Sequence, residues 1–316
     1  MARSIIKEPH QLANFFMLFI FSSIILFGLA RHYIFENTNN LTYLLSSHWS
    51  NVIAQIFVFI VPLLIFVNLS RTAYMYEVFP KERLGFVNIV LIIGIAFLIQ
   101  PVLMLITSFS SSIFYNPVPT LITTMAVLPF PTILFIVAIV PSICEELVFR
   151  GFIQTHYKRL PIIFSAFANG LFFAMVHFNW VQFIYAFICG VLFAYMVHIT
   201  KSIYSAMLAH FIANSTQISI GYIITVTEGL YTPSIIWDLI MLVAFILFGN
   251  LVISAAITLP LVVMLLYIFS RRNKQRLRDK EEDYEVERSA LAGFKKYLDI
   301  TFFAVIVFFI AIKFGF

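Results

Sequence analysis

Apolar runs as long as a membrane span recur along most of this chain. About 20 apolar residues in a helix cross the hydrocarbon core of a bilayer. Windows of this kind fit the sequence at 12–31, 51–69, 86–107, 121–149, 161–178, 181–198, 202–225, 236–270 and 299–316. Hydrophobic residues make up 61% of the chain and charged residues only 11%, which excludes an ordinary soluble globular protein. The sequence therefore predicts an all-α, polytopic transmembrane helical bundle of about 8–9 spans.

Lysine and arginine are placed between these runs in an alternating pattern. They follow the second, fourth, sixth and eighth runs, at Arg71, Lys81 and Arg83, at Arg150, Lys158 and Arg159, at Lys201, and throughout 271–280. Positive residues near span ends face the cytoplasm, so these segments and the amino terminus are expected on that side. The pattern also requires the long run 236–270 to cross once, as a tilted helix. We expect a multi-pass protein whose partners include the lipid bilayer and exclude nucleic acid.

Ionisable and carboxamide side chains inside apolar spans are functional candidates, because lipid burial of such groups is costly. The candidates are Glu145, Glu146, Arg150, Asn169, His177, His210, Asn214 and Gln217. Glu146 and Arg150 are four residues apart with the acid first, which favours an ion pair on a helix. Glu145 is rotated from Glu146 by about 100°, so it is expected to remain free. His210 and Asn214 have the same four-residue spacing and share a helix face.

A helical hairpin relates Glu145 to His177. Each lies sixteen residues from Pro161, where the turn is expected, so both are predicted at one level, about 24 Å from that turn. His210 is expected to join them at a depth reachable from the cytoplasm. A carboxylate, two imidazoles and a carboxamide can activate water and stabilise an oxyanion. These are the functional groups that hydrolysis of a peptide bond requires.

Simpler interpretations apply to each polar residue taken alone. His177 alone could be a buried histidine whose ring is hydrogen-bonded within the bundle. His210 and Asn214 could be residues that hydrogen-bond between helices. The residues Asn169, Gln182 and Gln217 are expected in helix packing, and His10, His32, His48, His156 and His198 at the surface. Cys144 and Cys189 are expected to be small buried residues, since apolar surroundings disfavour the thiolate that a nucleophile requires.

Three motifs occur in order in successive spans: "EELVFR" fits E-E-x-x-x-R, "FAMVH" fits F-x-x-x-H, and "HFIAN" fits H-x-x-x-N. Over residues 120–225 the chain thereby resembles the CPBP family of CAAX proteases and bacteriocin-processing enzymes, also called the type II CAAX prenyl endopeptidase or Abi family. The resemblance implies an intramembrane endopeptidase. In it Glu145 would be the catalytic glutamate, Glu146 its companion paired with Arg150, and His177 a second water-activating residue. His210 and Asn214 would stabilise the oxyanion.

The resemblance leaves the cofactor and the substrate open. Without an H-E-x-x-H motif, glutamate chemistry that requires no metal is favoured. The alternative is one Zn²⁺ held by Glu145, His177 and His210 with water in the open position, as in a metalloprotease. The substrate implied is a membrane-embedded or membrane-associated protein or peptide, in CAAX-type or bacteriocin processing.

Two other functional classes compete with a protease. One is a non-catalytic membrane scaffold or bacteriocin self-immunity protein of the same fold. The other is a transporter, for which an internal repeat would be expected, and none is visible in the sequence. The Phe-, Ile- and Asn-rich composition indicates a bacterial cytoplasmic membrane.

The expected organisation has five parts. They are transmembrane helices in 1–119, a catalytic helical core in 120–225, additional transmembrane structure in 226–270, a charged cytoplasmic linker in 271–298, and a final transmembrane helix in 299–316.

Overall fold

The computed structural model describes residues 8–37, 49–70, 82–157, 160–227, 250–281 and 297–314. Each secondary-structure element in these ranges is a helix, so the all-α class is confirmed. The α-helices are α1 Pro9–Asn37, α2 Ser50–Gln55, α3 Val61–Ser70, α4 Phe86–Leu98, α5 Gln100–Ser111, α6 Val118–Met125, α7 Phe130–Leu134, α8 Val140–Glu146, α9 Gln154–His156, α10 Ile162–Met175, α11 Trp180–Thr200, α12 Ile203–Thr227, α13 Leu251–Glu281 and α14 Ile300–Phe314. Three π-helical segments continue these helices: π1 Ile56–Ile60, π2 Phe135–Ile139 and π3 Leu147–Ile153.

Six helical stretches among the described residues are long and apolar enough to cross a membrane. They are Pro9–Tyr33, Ser50–Asn68, Phe86–Ser111, Phe130–His156, Trp180–Thr200 and Leu251–Lys274. The chain is therefore a polytopic helical bundle, as expected of an integral multi-pass membrane protein. Helices α10 and α14 are apolar but shorter, and α12 is outside the set of six although it has 25 residues.

Prolines divide two of the predicted spans. The expected single helix over 121–149 is wrong: α6 ends at Met125, and a new helix starts at Phe130 after an extended Pro129. The residue before a proline is disfavoured in the α region, which explains the break at this point. The run 86–107 is interrupted more gently at Ile99, between α4 and α5, because Pro101 cannot donate a backbone hydrogen bond.

The carboxy-terminal half of the chain also departs from expectation. Helix α13 continues through Glu281, so the first part of the expected linker 271–298 is helical. The linker's remaining residues 282–296 lie outside the described residues, as does the part of the run 236–270 that precedes Asn250. His10 and His156 were expected at the surface but are buried, with exposed fractions of 1% and 5%.

Helices α10 and α11 pack against each other through two glycines. A Cβ added to Gly190 would lie 2.7 Å from the Cα of Gly170, a distance that backbone atoms cannot accommodate. The two helix backbones therefore approach more closely than any side chain would permit. This contact fixes the hairpin that carries His177 in the turn between α10 and α11.

The three π segments all border the same region of the bundle. Gln55 immediately precedes π1, Val137 lies within π2, and π3 contains Arg150. π-Helical turns are rare in proteins, but those that occur are often at functional sites. The extra residue changes the direction in which the neighbouring side chains point. Their clustering marks the region in which the candidate residues meet.

Candidate active site

One cavity of about 270 Å³ brings together side chains from distant parts of the chain. Four of the predicted site residues line it: Glu145, His177, His210 and Asn214. Gln182 and Gln217, which were expected only in helix packing, also line the cavity. Asn169 does not; it donates to the Phe149 carbonyl and joins two helices. The remaining polar lining residues are Asn51, Gln55 and Tyr185.

Glu146 and Arg150 form the ion pair that their spacing predicts. Arg150 Nη1 lies 2.7 Å from Glu146 Oε1, and both side chains are fully buried. The guanidinium also donates from Nη2 to the Gly190 carbonyl at 3.1 Å and lies 4.5 Å from the centre of the Phe173 ring. Two buried opposite charges at this distance compensate each other, whereas either alone would be strongly unfavourable. Arg150 therefore pairs with Glu146 on its own helix and joins that helix to α11 through the Gly190 carbonyl.

Glu145 faces a different set of neighbours. Its side chain is 7% exposed, and its Oε1 accepts a hydrogen bond of 2.8 Å from Gln55 Nε2. Its Oε2 has no hydrogen-bond partner among the described residues. The two adjacent glutamates thus differ in environment: Glu146 is paired with a cation, and Glu145 is held only by a neutral amide. Sequence reasoning missed Gln55, although a carboxamide within the apolar run 51–69 was a visible signal.

His177 lies in the turn after α10, beyond the helix that was expected to contain it. Its Nδ1 is 2.9 Å from the Phe173 carbonyl oxygen. A carbonyl only accepts hydrogen bonds, so the proton of the neutral ring is on Nδ1 and Nε2 has the free lone pair. The next residue, Phe178, has a φ of 47°, a left-handed conformation that is uncommon for a bulky side chain.

His210 contacts Glu146 and not Glu145. Its Nδ1 lies 2.8 Å from Glu146 Oε1, so Nδ1 donates to that carboxylate. Asn214 Nδ2 lies 3.0 Å from the Val137 carbonyl and 3.2 Å from His210 Nε2. The carbonyl fixes the orientation of the Asn214 amide, so in this arrangement Nε2 of a neutral His210 accepts from Asn214. Sequence reasoning did not reveal this link between His210 and the ion pair.

Two of the three residues of the alternative zinc site have other hydrogen-bond partners in the arrangement observed. His210 directs one ring nitrogen to Glu146 and the other to Asn214, and Glu145 Oε1 accepts from Gln55. Across the described ranges, no three His, Cys, Asp or Glu side chains are arranged to hold a metal ion. The set Glu145, His177 and His210 therefore does not fit a zinc ion as its side chains are placed.

The two cysteines are free and buried. Cys189 lines the cavity, and Cys144 does not. Neither forms a disulfide bond.

Comparison with known proteins identifies the region that contains these residues. The family model described as "Type II CAAX prenyl endopeptidase Rce1-like" matches residues 126–216. This range contains Glu145, Glu146, Arg150, His177, His210 and Asn214 but not Gln55. Searches among curated proteins and among solved structures gave no match. Residues 126–216 of this chain are thus similar to the Rce1-like type II CAAX prenyl endopeptidase (CPBP) family.

Proposed function

We propose that this protein is an intramembrane endopeptidase in which Glu145 activates water to hydrolyse a peptide bond. The observation that carries the proposal is the convergence of Glu145, His177, His210 and Asn214 on one cavity, within the residues that match the family. A carboxylate beside imidazoles in a cavity of this kind suits general base catalysis. Similarity of residues 126–216 to that family supports a protease of the CAAX type, and the roles of the individual residues are our inference.

The chemistry begins with the two residues that can accept a proton. The unpartnered Oε2 of Glu145 takes a proton from water while His177 Nε2 accepts a hydrogen bond from the same molecule and orients it. The water oxygen forms a bond to the carbonyl carbon, and the carbonyl electron pair moves onto its oxygen. The oxyanion then re-forms the carbonyl, the carbon–nitrogen bond breaks, and its electron pair takes the proton from Glu145, which releases the amine and the new carboxyl group.

The oxyanion formed in this step requires hydrogen-bond donors. In the arrangement observed, Asn214 Nδ2 is engaged by Val137 and His210. On this proposal the Asn214 amide turns from these partners and donates to the oxyanion, and His210 stays beside it as a neutral ring. The carboxylate of Glu146, 2.8 Å from His210 Nδ1, fixes the position of the His210 ring by accepting that hydrogen bond. Glu146 thus contributes through His210.

We further propose that the substrate is a membrane-associated protein or peptide and that the enzyme lies in a bacterial cytoplasmic membrane. On this proposal residues 120–225 form the catalytic core, and the flanking segments 1–119, 226–270 and 299–316 are transmembrane. Helices α10, α12 and α14 cross the membrane together with the six longer spans, which gives nine crossings. The charged linker 271–298 then lies in the cytoplasm.

The test is a comparison of peptide termini in membranes from cells that produce the parent protein, Glu145→Gln or His177→Ala. Mass spectrometry should detect termini that depend on the parent protein and disappear in both variants. Gln100→Met, a buried carboxamide away from the cavity, is the control and should retain them. A non-catalytic scaffold or immunity protein of this fold predicts the same termini in all four cell lines, which would contradict the proposal.

A further inference from the structure

The carboxylate of Glu145 is held by a residue from outside the region that matches the family. Gln55 is the last residue of α2, and its Nε2 lies 2.8 Å from Glu145 Oε1. Asn51, one helical turn earlier, lines the same cavity. Helix α2 therefore presents a carboxamide face to the catalytic core.

The chemistry of the two groups fixes the orientation of the Gln55 amide. An ionised carboxylate can only accept hydrogen bonds, so the amide nitrogen and not the amide oxygen must face Glu145. A hydrogen bond to a charged group is shorter and stronger than one between neutral groups. The contact thus holds the Glu145 carboxylate in place at Oε1.

The contact also makes the two carboxylate oxygens different. Oε1 is occupied by Gln55, while Oε2 has no partner among the residues that the structure describes. A carboxylate held at one oxygen has its second oxygen fixed in direction. This is the arrangement expected of a base that must take a proton from one defined position.

Two fully or largely buried glutamines show what a purely structural carboxamide does in this bundle. Gln100 of α5 donates to the Ala96 carbonyl of the preceding helix α4, and Gln154 donates to the Ala194 carbonyl. Both bind backbone, whereas Gln55 binds the carboxylate that the proposed reaction requires. Gln55 also immediately precedes π1, one of the three π segments at the site.

We infer that Gln55 is a positioning residue that orients the carboxylate of Glu145. This inference rests on the proposed role of Glu145, and it makes the amino-terminal helices part of the active site. It predicts that loss of the amide weakens catalysis without preventing folding.

The first test measures the state of Glu145 without any substrate. Dicyclohexylcarbodiimide, an apolar reagent, modifies protonated carboxyl groups in membrane proteins, and mass spectrometry locates the adduct. Gln55→Met preserves the side-chain volume but removes the donor, so Glu145 should be modified about 10-fold faster than in the parent, the effect of one charge-assisted hydrogen bond. Gln55→Asn, whose amide is one methylene too short, should behave similarly. Gln100→Met is the matched control and should react at the parent rate.

The second test measures turnover of a peptide substrate identified from the cellular comparison. Gln55→Met should lower kcat by about 10-fold to 100-fold with a smaller change in KM, because the contact acts on the base. Unchanged labelling of Glu145 and unchanged kcat in a folded Gln55→Met protein would overturn the inference while leaving the proposed function intact. If Glu145→Gln also cleaves at the parent rate, the proposed function itself is contradicted.

Discussion

At the scale of single residues, the adjacent glutamates differ in their hydrogen-bond partners. Oε1 of Glu146 accepts from both Arg150 and His210, whereas Glu145 contacts neither cation nor imidazole in the hydrogen bonds of the described residues. A helix makes this division possible because consecutive side chains point about 100° apart. The same segment can therefore supply one structural and one reactive carboxylate.

The stability of the fold should depend on Arg150. Arg150→Met removes the partner of a fully buried Glu146, and an uncompensated buried charge lowers the free energy of unfolding by about 3–5 kcal/mol. The double variant Glu146→Gln with Arg150→Met removes both charges and should recover part of that loss. Thermal unfolding of the purified proteins in detergent measures both effects. Equal stability of the single variant and the parent would refute the structural role of the pair.

At the scale of elements, the last helix supports the turn that carries His177. Lys313 of α14 donates from Nζ to the Phe178 carbonyl at 2.6 Å and lies 5.6 Å from the centre of the Trp180 ring. Phe309 of the same helix packs against the Phe178 ring, with 5.5 Å between ring centres. These contacts hold Phe178 in its left-handed conformation, which is uncommon without such support.

Removal of the Lys313 amine should therefore affect catalysis more than folding. We expect Lys313→Met to lower the rate of substrate cleavage, by up to about 100-fold if the His177 ring moves by 1 Å, with little change in the unfolding temperature. Lys274→Met changes an exposed lysine of α13 and is the control. A Lys313→Met enzyme with the parent rate would show that α14 does not position the turn.

At the scale of the whole molecule, the proposed topology depends on whether α10 crosses the membrane. Its 14 residues extend only about 21 Å, less than the roughly 30 Å of a bilayer core. If α10 crosses, Lys201 is cytoplasmic and Ser112 is on the outer side. If it does not cross, both lie on one side.

Labelling with a membrane-impermeant maleimide distinguishes these topologies. The native Cys144 and Cys189 are buried, so cysteines introduced by Lys201→Cys and Ser112→Cys should provide the main signals. We expect Ser112→Cys to react in intact cells and Lys201→Cys only in inverted vesicles. Reaction of both from the same side would contradict nine crossings.

Much of this arrangement could be predicted from sequence because its causes are local. Apolar runs predicted the helices, and the four-residue spacing of Glu146 and Arg150 predicted their contact. The helix break at Pro129 also has a local cause, the proline itself, although one helix was predicted there. The π segments, the Gln55 contact with Glu145 and the link from His210 to Glu146 depend on how distant helices pack. Spacing within one helix gives no information about such contacts.

The central claim is that Glu145 carries out the hydrolysis. The most direct measurement is the cleavage rate of an identified substrate peptide by purified Glu145→Gln in lipid nanodiscs, beside the parent enzyme and Gln100→Met. Loss of a general base typically lowers a rate by about 10²-fold to 10⁴-fold, so we expect a loss in that range with an unchanged unfolding temperature and a parent-like rate for Gln100→Met. Cleavage by folded Glu145→Gln at the parent rate would contradict the account.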